Sequence, residues 1–450
     1  MNSMQLLPYK QQVSSLLRLG LPIVVGQLGM IILGLADTIM IGHHSTEELA
    51  AAAFVNNVFN LAIIFATGFS YGLTPLIGML QGGGNTQGIG RVFRNALAAN
   101  ASVAVLLTAV MYTVYCFVDK LGQPEELLPH IRPYFVLQLI SLLFIMLFNG
   151  FRQFAEGLTD TRTPMWILLG GNALNIFGNY LLIYGSFGFP EWGLFGAGVS
   201  TLVSRIVMLL VFIGVVAVAR RYKVYREAIL RSRFNRNDFI QLNALGWPIA
   251  LQMGMETAAF SLSAIMVGWL GSIPLAAHQI MISVSTIGFM VYYGMGAALA
   301  VRVSHFMGQK DFPNLRRAVN SGMGRIFSLA LVRRLFFYLV RTPIIYSFTE
   351  DHEVMIVVSS LIFSLIVYQF GDALQITFAN ALRGTTDVKP MMWIAFFSYF
   401  IVALPVGYLC GFTWGGGVVG VWVAFPAGLF TAGFLFWLRF RYRLQQLMKK

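Results

Sequence analysis

The sequence predicts an all-α polytopic membrane protein, with twelve transmembrane helices in two pseudo-symmetric six-helix bundles around a central cleft. Three observations predict this fold: apolar runs recur along nearly the whole chain, Lys and Arg fall mainly on one side of the implied topology, and the second half of the sequence repeats the first. Of the 450 residues, 57% are hydrophobic and only 11% are charged. A soluble protein of this length needs more charge to cover its surface, so a soluble fold is excluded.

Each apolar run is long enough, at about 20 residues or more, to cross the hydrocarbon core of a bilayer as a helix. The first run is too long for the apolar region of a signal peptide and lacks a cleavage site, so we expect it to be retained as span one. The expected spans are 15–41, 51–79, 92–117, 133–156, 164–186, 193–219, 241–270, 274–306, 318–347, 354–380, 389–412 and 416–439.

The basic residues indicate the orientation of these spans. Of 31 Lys and Arg, only Lys120, Arg132 and Arg341, the last near the end of span nine, fall on the side of the loops that follow odd-numbered spans. Cytoplasmic loops retain positive charge, so we expect a multi-pass protein of the cell (inner) membrane with both termini in the cytoplasm. This asymmetry accounts for the net charge of +13 without a nucleic-acid partner. The basic stretch 220–236 is expected to be a cytoplasmic linker that lies on anionic lipid headgroups.

An internal repeat relates the two halves of the chain. The segment LGLPIVVGQLGMIILGLADTIMIG from Leu19 aligns without a gap with LGWPIALQMGMETAAFSLSAIMVG from Leu245, a shift of 226 residues. The segments GLTDTRTPMW from Gly157 and GTTDVKPMMW from Gly384 also resemble each other. The expected domains are an N-terminal six-helix lobe at 1–219, a linker at 220–238 and a C-terminal six-helix lobe at 239–450.

An even number of spans in each repeat means that both halves enter the membrane in the same direction, and are related by an axis along the membrane normal. Binding between such repeats, with one lobe rocking against the other, is a general route to alternating access. The repeat therefore favours a secondary transporter. A duplicated scaffold without a transport pathway is the alternative.

Three acidic residues lie inside apolar spans, and they are the strongest candidates for a functional site. Of 18 Asp and Glu, only Asp37, Glu256 and Asp372 fall within spans one, seven and ten. An ionised carboxylate near the middle of the bilayer costs about 2.5–3.5 kcal/mol on insertion scales. We therefore expect all three to serve a coupling cation or proton. Protonated, hydrogen-bonded packing residues are the alternative.

Tyr368 and Gln375 share one helix face with Asp372, since they lie four residues before it and three after it. Carboxylate and phenol oxygens suit Na⁺, a hard cation, so Glu256, Asp372 and Tyr368 are candidate Na⁺ ligands. A desolvated carboxylate suits H⁺ instead. The residues do not distinguish Na⁺ from H⁺ as the coupling ion. We expect no cofactor besides that ion.

A polar stripe lies in span five, where Asn172, Asn175 and Asn179 follow helical spacing. We expect these side chains to form a substrate-binding or polar network with Asp37. Helix packing mediated by asparagine is the alternative.

Other energy sources and chemistries find little support. The glycine run from Gly82 is not followed by the Lys-Ser/Thr pair of a phosphate-binding loop, so ATP-driven pumping is not expected. An intramembrane enzyme needs a nucleophile with a base, or a metal cluster. His43, His44 and His278 lie near span ends without such partners and are expected to be interfacial. We therefore expect no enzymatic activity.

Several segments together resemble one family. LADTIMIG from Leu35, followed by LAA from Leu49, resembles the multidrug and toxic compound extrusion (MATE) transporters, and GLTDTRTP and GTTDVKP resemble that family's loops after spans four and ten. MGMETAAF around Glu256, YQFGDALQ around Asp372 and AAHQI from Ala276 resemble its NorM-type branch. The resemblance covers nearly the whole chain.

The resemblance implies a two-lobed antiporter that exports small amphipathic organic cations against Na⁺ or H⁺. It implies one group of site residues in each lobe: Asp37, Asn175 and Asn179 in the first, and Tyr368, Glu256 and Asp372 in the second. We expect the protein to function as a monomer in the bilayer.

Two points stand against this interpretation. Arg333 and Arg334 lie in the middle of span nine, where they depart from the pattern, so they either face the cleft or mark a local misreading of the gene. The alternative function is a flippase of lipid-linked or amphiphilic substrates, which needs basic residues for phosphate. The three acids in the spans favour a cationic cargo.

Overall fold

The computed structural model describes residues 6–348 and 351–449, with side chains at all of these except 287 and 332–348. The described chain is built of α-helices, short 3₁₀ turns and two π-helical segments, and contains no β-strand. The helices are α1 (Tyr9–His44), α2 (Thr46–Ser70), α3 (Leu73–Gly82), α4 (Thr86–Cys116), α5 (Leu128–Gly157), α6 (Arg162–Ile183), α7 (Gly193–Val218), α8 (Lys223–Arg231), α9 (Arg236–Gly268), α10 (Ser272–Gln309), α11 (Phe312–Phe348), α12 (His352–Gly384), α13 (Lys389–Phe396), α14 (Leu404–Tyr408), α15 (Gly417–Trp422) and α16 (Ala424–Met448).

Eleven stretches of the described chain are long and apolar enough to cross a membrane. They correspond to eleven of the expected spans, and the twelfth, 318–347, falls on α11. The prediction of an all-α polytopic membrane protein is therefore confirmed. Arg333 and Arg334 lie outside the described side chains.

Spans two, eleven and twelve contain irregular helices, and span twelve is divided at Val423 into α15 and α16. Span two is divided at Tyr71 and Gly72 into α2 and α3. A Cβ atom at Gly72 would lie 2.9 Å from the backbone nitrogen of Gly246, so a glycine is needed where this break approaches α9. In span eleven, α13 and α14 are each followed by a π-helical segment, at Phe397–Ala403 and Leu409–Thr413. Such segments often occur at functional sites.

The chain divides into two compact units. Unit one comprises Met1–Val24 together with Leu251–Lys450, and unit two comprises Val25–Ala250. Both boundaries fall inside long helices, α1 and α9, just beyond prolines that are repeat partners, Pro22 and Pro248. The first turns of α1 thus belong with the second repeat, and those of α9 with the first. The boundaries of the lobes expected from the sequence stay a prediction.

Equivalent close contacts occur within each unit at the end of the fourth span of each repeat. A Cβ atom at Gly157 would lie 2.7 Å from the Cβ of Ile77, and one at Gly384 would lie 2.7 Å from the Cβ of Val303. Ile77 and Val303 are partners at the shift of 226 residues, and the two glycines are partners at a shift larger by one. The sequence repeat is therefore also a structural repeat.

The turn after the second span of each repeat gives a matched test of backbone strain. Lys310 follows α10 with φ of 57°, and its repeat partner Gly84 has φ of 71°. A left-handed conformation costs a residue with a Cβ atom roughly 1–2 kcal/mol, whereas glycine adopts it readily. Only the second repeat carries this strain.

We expect Lys310→Gly to raise the free energy of unfolding by about 1 kcal/mol, because it removes this strain. Gly84→Lys should lower it by a similar amount, and no atom within 4 Å of a Cβ at Gly84 would add a clash. Thermal unfolding of the two variants in detergent micelles measures both effects. Shifts of the melting temperature in the same direction would contradict this account.

Candidate functional site

Glu256 lies at the centre of a polar cluster in unit one. Its Oε2 atom accepts hydrogen bonds from Nε2 of Gln252 at 2.9 Å and from Nε2 of Gln375 at 3.0 Å. The Oε1 atom of Gln252 accepts in turn from Arg383 at 2.7 Å. Side chains from α9 and α12 therefore compensate the half-buried carboxylate. Of these residues, the sequence predicted Glu256 and Gln375.

Asp372 and Tyr368 lie on α12 in the same unit and are buried, with exposures of 2% and 5%. Tyr399, in the first π-helical segment, is also buried, and its phenol is within electrostatic reach of Glu256, Asp372 and Tyr368. The three candidate Na⁺ ligands thus lie within electrostatic reach of one further phenol. Sequence reasoning missed Tyr399, because a lone tyrosine in an apolar span is ordinarily a packing residue.

An aromatic cluster adjoins Tyr368. The ring of Phe425 stacks on Phe260 with 4.7 Å between centroids and lies 6.2 Å from Tyr368. On its other side, the imidazole of His278 stacks on Phe425 at 6.2 Å and lies edge-on to Trp422 at 5.7 Å. The side chain of His278 is 2% exposed inside this cluster, and its expected position near the membrane interface stays a prediction. Aromatic faces of this kind attract cations.

The acid of unit two, Asp37, is held by asparagines of α6. Asn179 Nδ2 donates to Asp37 Oδ1 at 2.6 Å and is 3.2 Å from Asn175 Oδ1. When the oxygen and nitrogen of its side-chain amide are exchanged, the Asn175 nitrogen donates to the same Asp37 oxygen at 3.0 Å and its oxygen accepts from Thr201. This orientation satisfies both ends of the amide. Asn172 makes no bond to this cluster among the described contacts, and its buried amide nitrogen has no hydrogen-bond partner.

A basic residue completes the polar interior of unit two. Arg205 on α7 donates to Oε1 of Gln138 at 3.0 Å and to the hydroxyl of Ser141. Its guanidinium is within electrostatic reach of Asp37 and Tyr134. Asp37 therefore shares its surroundings with a permanent cation.

A second group of charged side chains lies at the end of α1. The imidazole of His44 contacts Glu48 through Nδ1 at 2.8 Å and Glu191 through Nε2 at 3.0 Å. A neutral imidazole has one N–H, so two carboxylate contacts fit the doubly protonated ring. These partners are carboxylates, and the expectation that His44 lacks a nucleophile or a metal cluster as partner stays a prediction. No group of side chains in the described part of the chain has the geometry to hold a metal ion through three His, Cys, Asp or Glu residues.

Two repeats of long apolar helices, each with an acid held by buried polar side chains, are the architecture of a membrane transporter. The MatE family model matches residues 22–181 and 248–409, and these two segments begin at the repeat partners Pro22 and Pro248. The chain therefore belongs to the MatE family of membrane transporters.

Curated relatives and solved structures agree with this assignment. "Multidrug resistance protein NorM" of Photobacterium profundum is 30% identical over 448 residues, covering 96% of each chain. The protein of the same name from Vibrio cholerae is 29% identical over 441 residues, again with 96% coverage of both. A MATE protein in a straight conformation superposes with a TM-score of 0.89 at 20% identity, covering 98% of this chain and 97% of the other. A MOP superfamily transporter from Pyrococcus furiosus gives 0.85 at 20% identity, with the same coverage. At such identities the solved structures establish the fold alone.

The asparagines of α6 give a matched test of the network around Asp37. We expect Asn179→Ala to lower the free energy of unfolding by about 1.5–3 kcal/mol more than Asn172→Ala, since only Asn179 donates to a charged acceptor. Both variants make the same truncation at a buried site of one helix. Thermal unfolding in detergent compares them, and equal losses of stability would show that Asn179 acts only through packing.

Proposed function

We propose that the chain is a secondary active multidrug exporter, in which an inward flow of Na⁺ or H⁺ drives small amphipathic organic cations out of the cell. The observation that carries this proposal is the pair of acids in unit one, the half-buried Glu256 and the buried Asp372, which together with Tyr368 lie within electrostatic reach of the Tyr399 phenol. The name of the curated relatives, which are multidrug resistance proteins, supports the type of cargo.

The proposed coupling rests on competition for negative charge. In the outward-facing state the coupling cation binds at Glu256, Asp372 and Tyr368 and neutralises the acids, which weakens their attraction for an organic cation. One set of carboxylates cannot favourably neutralise two cations at once where the dielectric constant is low. Release of the cargo and entry of the ion are thereby linked, and rocking of the two lobes carries the site from one side of the membrane to the other.

The side chains around the acids accommodate either coupling ion. Glu256, Asp372, Tyr368 and the carbonyl oxygen of Gln375 supply the oxygen atoms that Na⁺ prefers. The Oε1 atom of Gln375 is buried and accepts no hydrogen bond, so it is available as a ligand. A proton would instead bind directly to a carboxylate, and the Tyr399 hydroxyl lies within reach of Glu256. Transport under separate Na⁺ and pH gradients decides between the two.

The cluster in unit two has a complementary part in this proposal. Asp37, with Asn175 and Asn179, forms a second polar group that can attract a cationic cargo, and Arg205 offsets part of its charge. The cargo is therefore held less tightly by unit two than by an uncompensated carboxylate. Weak binding at each stage is what a transport cycle needs.

A flippase of lipid-linked substrates is the alternative function, and the buried arginines argue against it. Arg152 pairs with Glu156 at 2.7 Å, Arg302 donates to Gln12, and Arg383 donates to Gln252. Since these guanidinium groups already have partners inside the protein, they are poorly placed to hold a phosphate. The acids favour a cationic cargo.

The expected setting of the protein is part of the same proposal. We place it in the cell inner membrane as a monomer, with both termini in the cytoplasm, because positive charge is retained on the cytoplasmic side. The lipid bilayer and the organic cation are its partners.

We expect Glu256→Gln and Asp372→Asn each to lower uptake of a cationic dye into inverted vesicles by at least about tenfold, because the coupling ion loses a charged ligand worth more than 1.4 kcal/mol. Dye movement in the variants should also stop responding to imposed Na⁺ and pH gradients. Proteoliposomes with one gradient at a time provide the measurement.

The matched control is Glu353→Gln, which removes one exposed acid from the first turn of the helix that carries Asp372. This variant should transport at the wild-type rate. Wild-type rates for Glu256→Gln and Asp372→Asn would refute the competition, and a dependence on ATP would refute secondary transport.

A further inference from the structure

The segment between α7 and α9 is a rigid part of unit two. The hydroxyl of Tyr222 donates to Oδ2 of Asp160 at 2.6 Å, and that of Tyr225 donates to Oε1 of Gln81 at 2.8 Å. Burial, together with the adjacent Asp160 carboxylate, raises the pKa of Tyr222, so its phenol keeps the proton that makes this bond. These contacts fix the inner side of α8.

The backbone of α8 also lies directly against α4. A Cβ atom at Gly90 would lie 2.4 Å from the carbonyl carbon of Ala228, so the two helices touch at this glycine. Beyond α8, Arg94 donates to the carbonyl of Ser232 at 2.5 Å, and Asn95 accepts from the backbone of Asn235 at 3.0 Å. The start of α9 is held in the same way.

An ion pair also attaches the start of α9 to α4. Arg91 contacts Asp238, in the first turn of α9, at 2.6 Å. Asp238 and Glu227 are the two acids between 219 and 238, and Asp238 is buried and used by this pair. The linker is thus attached at its beginning, middle and end, and its outward side keeps a fixed orientation.

The outward side combines unpaired positive charge with exposed apolar side chains. Five basic residues are exposed and form no ion pair among the described residues: Arg220, Lys223, Arg231, Arg233 and Arg236. Between them, Val224, Leu230 and Phe234 expose 60%, 74% and 60% of their surface. Glu227 is the one exposed acid of the segment.

We propose that this outward side, residues 220–236, is a docking surface for the headgroups and upper acyl chains of anionic phospholipids. A surface helix with basic residues interleaved with large apolar ones suits the bilayer interface, where apolar side chains enter the acyl boundary and Lys and Arg meet lipid phosphates. The segment directly connects two membrane-crossing helices, α7 and α9, so a lipid surface lies within its reach. A soluble acidic protein or a nucleic acid would leave Leu230 and Phe234 without an apolar partner.

Docking of lipid would have a defined mechanical effect. The linker runs directly into the first turn of α9, which Arg91 of α4 holds through Asp238, and the later turns of this helix carry Glu256. Anionic lipid bound to the linker would therefore restrain the start of the helix that bears the proposed coupling acid. The binding itself does not depend on the proposed transport function.

The test compares two fourfold variants that remove equal charge. One replaces Arg220, Lys223, Arg231 and Arg233 by Gln, and the control replaces Arg316, Arg325, Arg441 and Lys449 by Gln, which are exposed basic residues elsewhere. Each full-length protein is purified in detergent, and retention of phosphatidylglycerol and phosphatidylcholine is counted by native mass spectrometry. Glycerol phosphate is added as a soluble competitor that lacks acyl chains.

We expect the wild type and the control to retain phosphatidylglycerol at least about tenfold more strongly than the linker variant, since each basic residue near a lipid surface contributes roughly 1 kcal/mol. A further variant has Lys at positions 220, 231 and 233 and keeps Lys223. It should restore retention, which shows that substitution at these positions leaves the protein folded. Leu230→Ser with Phe234→Ser should weaken retention while leaving the charge intact.

Three results would overturn the proposal. These are equal retention by the linker variant and the wild type, an equal loss in the control variant, and displacement of the lipid by glycerol phosphate at the lipid's own concentration. The last would indicate a site for free phosphate.

Discussion

The structure depends on the supply of hydrogen-bond donors to carboxyl groups inside the spans, where neither bulk water nor lipid provides them. An uncompensated charge in a medium of low dielectric constant costs several kcal/mol, so each acid inside the spans must be supplied with donors by the surrounding helices. Glu256 receives two glutamine amides, and Asp37 receives asparagine amides. These are weaker partners than a lysine or arginine in direct contact, so the acids stay available to an external cation.

The two repeats solve this problem differently although their helices correspond. At the shift of 226 residues, Glu256 falls on Met30 and Asp37 falls on Ser263, so neither acid has an acidic counterpart. Unit two has the guanidinium of Arg205 near its acid, and unit one has that of Arg383 near Glu256 but also gathers a second acid and two phenols.

The scaffold that holds these groups is built from close helix contacts. Gly157 and Gly384 allow equivalent helices to meet within each unit, and Gly72 and Gly246 allow the break between α2 and α3 to meet α9. A methyl group at any of these positions would require the backbone of a neighbour to shift. The π-helical segment Phe397–Ala403 turns the side chain of Tyr399 toward the acids of unit one. A regular helix would point this side chain in another direction.

The sequence by itself determined the helical spans, the repeat and the three acids inside the spans, because hydropathy, charge and periodicity are local properties that a bilayer makes decisive. Only the tertiary structure decided which polar groups meet: Tyr399 and Gln252 join Glu256, Asn172 stays apart from Asp37, His278 is buried among aromatic rings, and His44 bridges two glutamates. It also decided that the first turns of α1 belong with the second repeat. These contacts join residues far apart in the chain or depend on the rotation of each helix about its axis, and neither the spacing of residues nor their composition specifies that rotation.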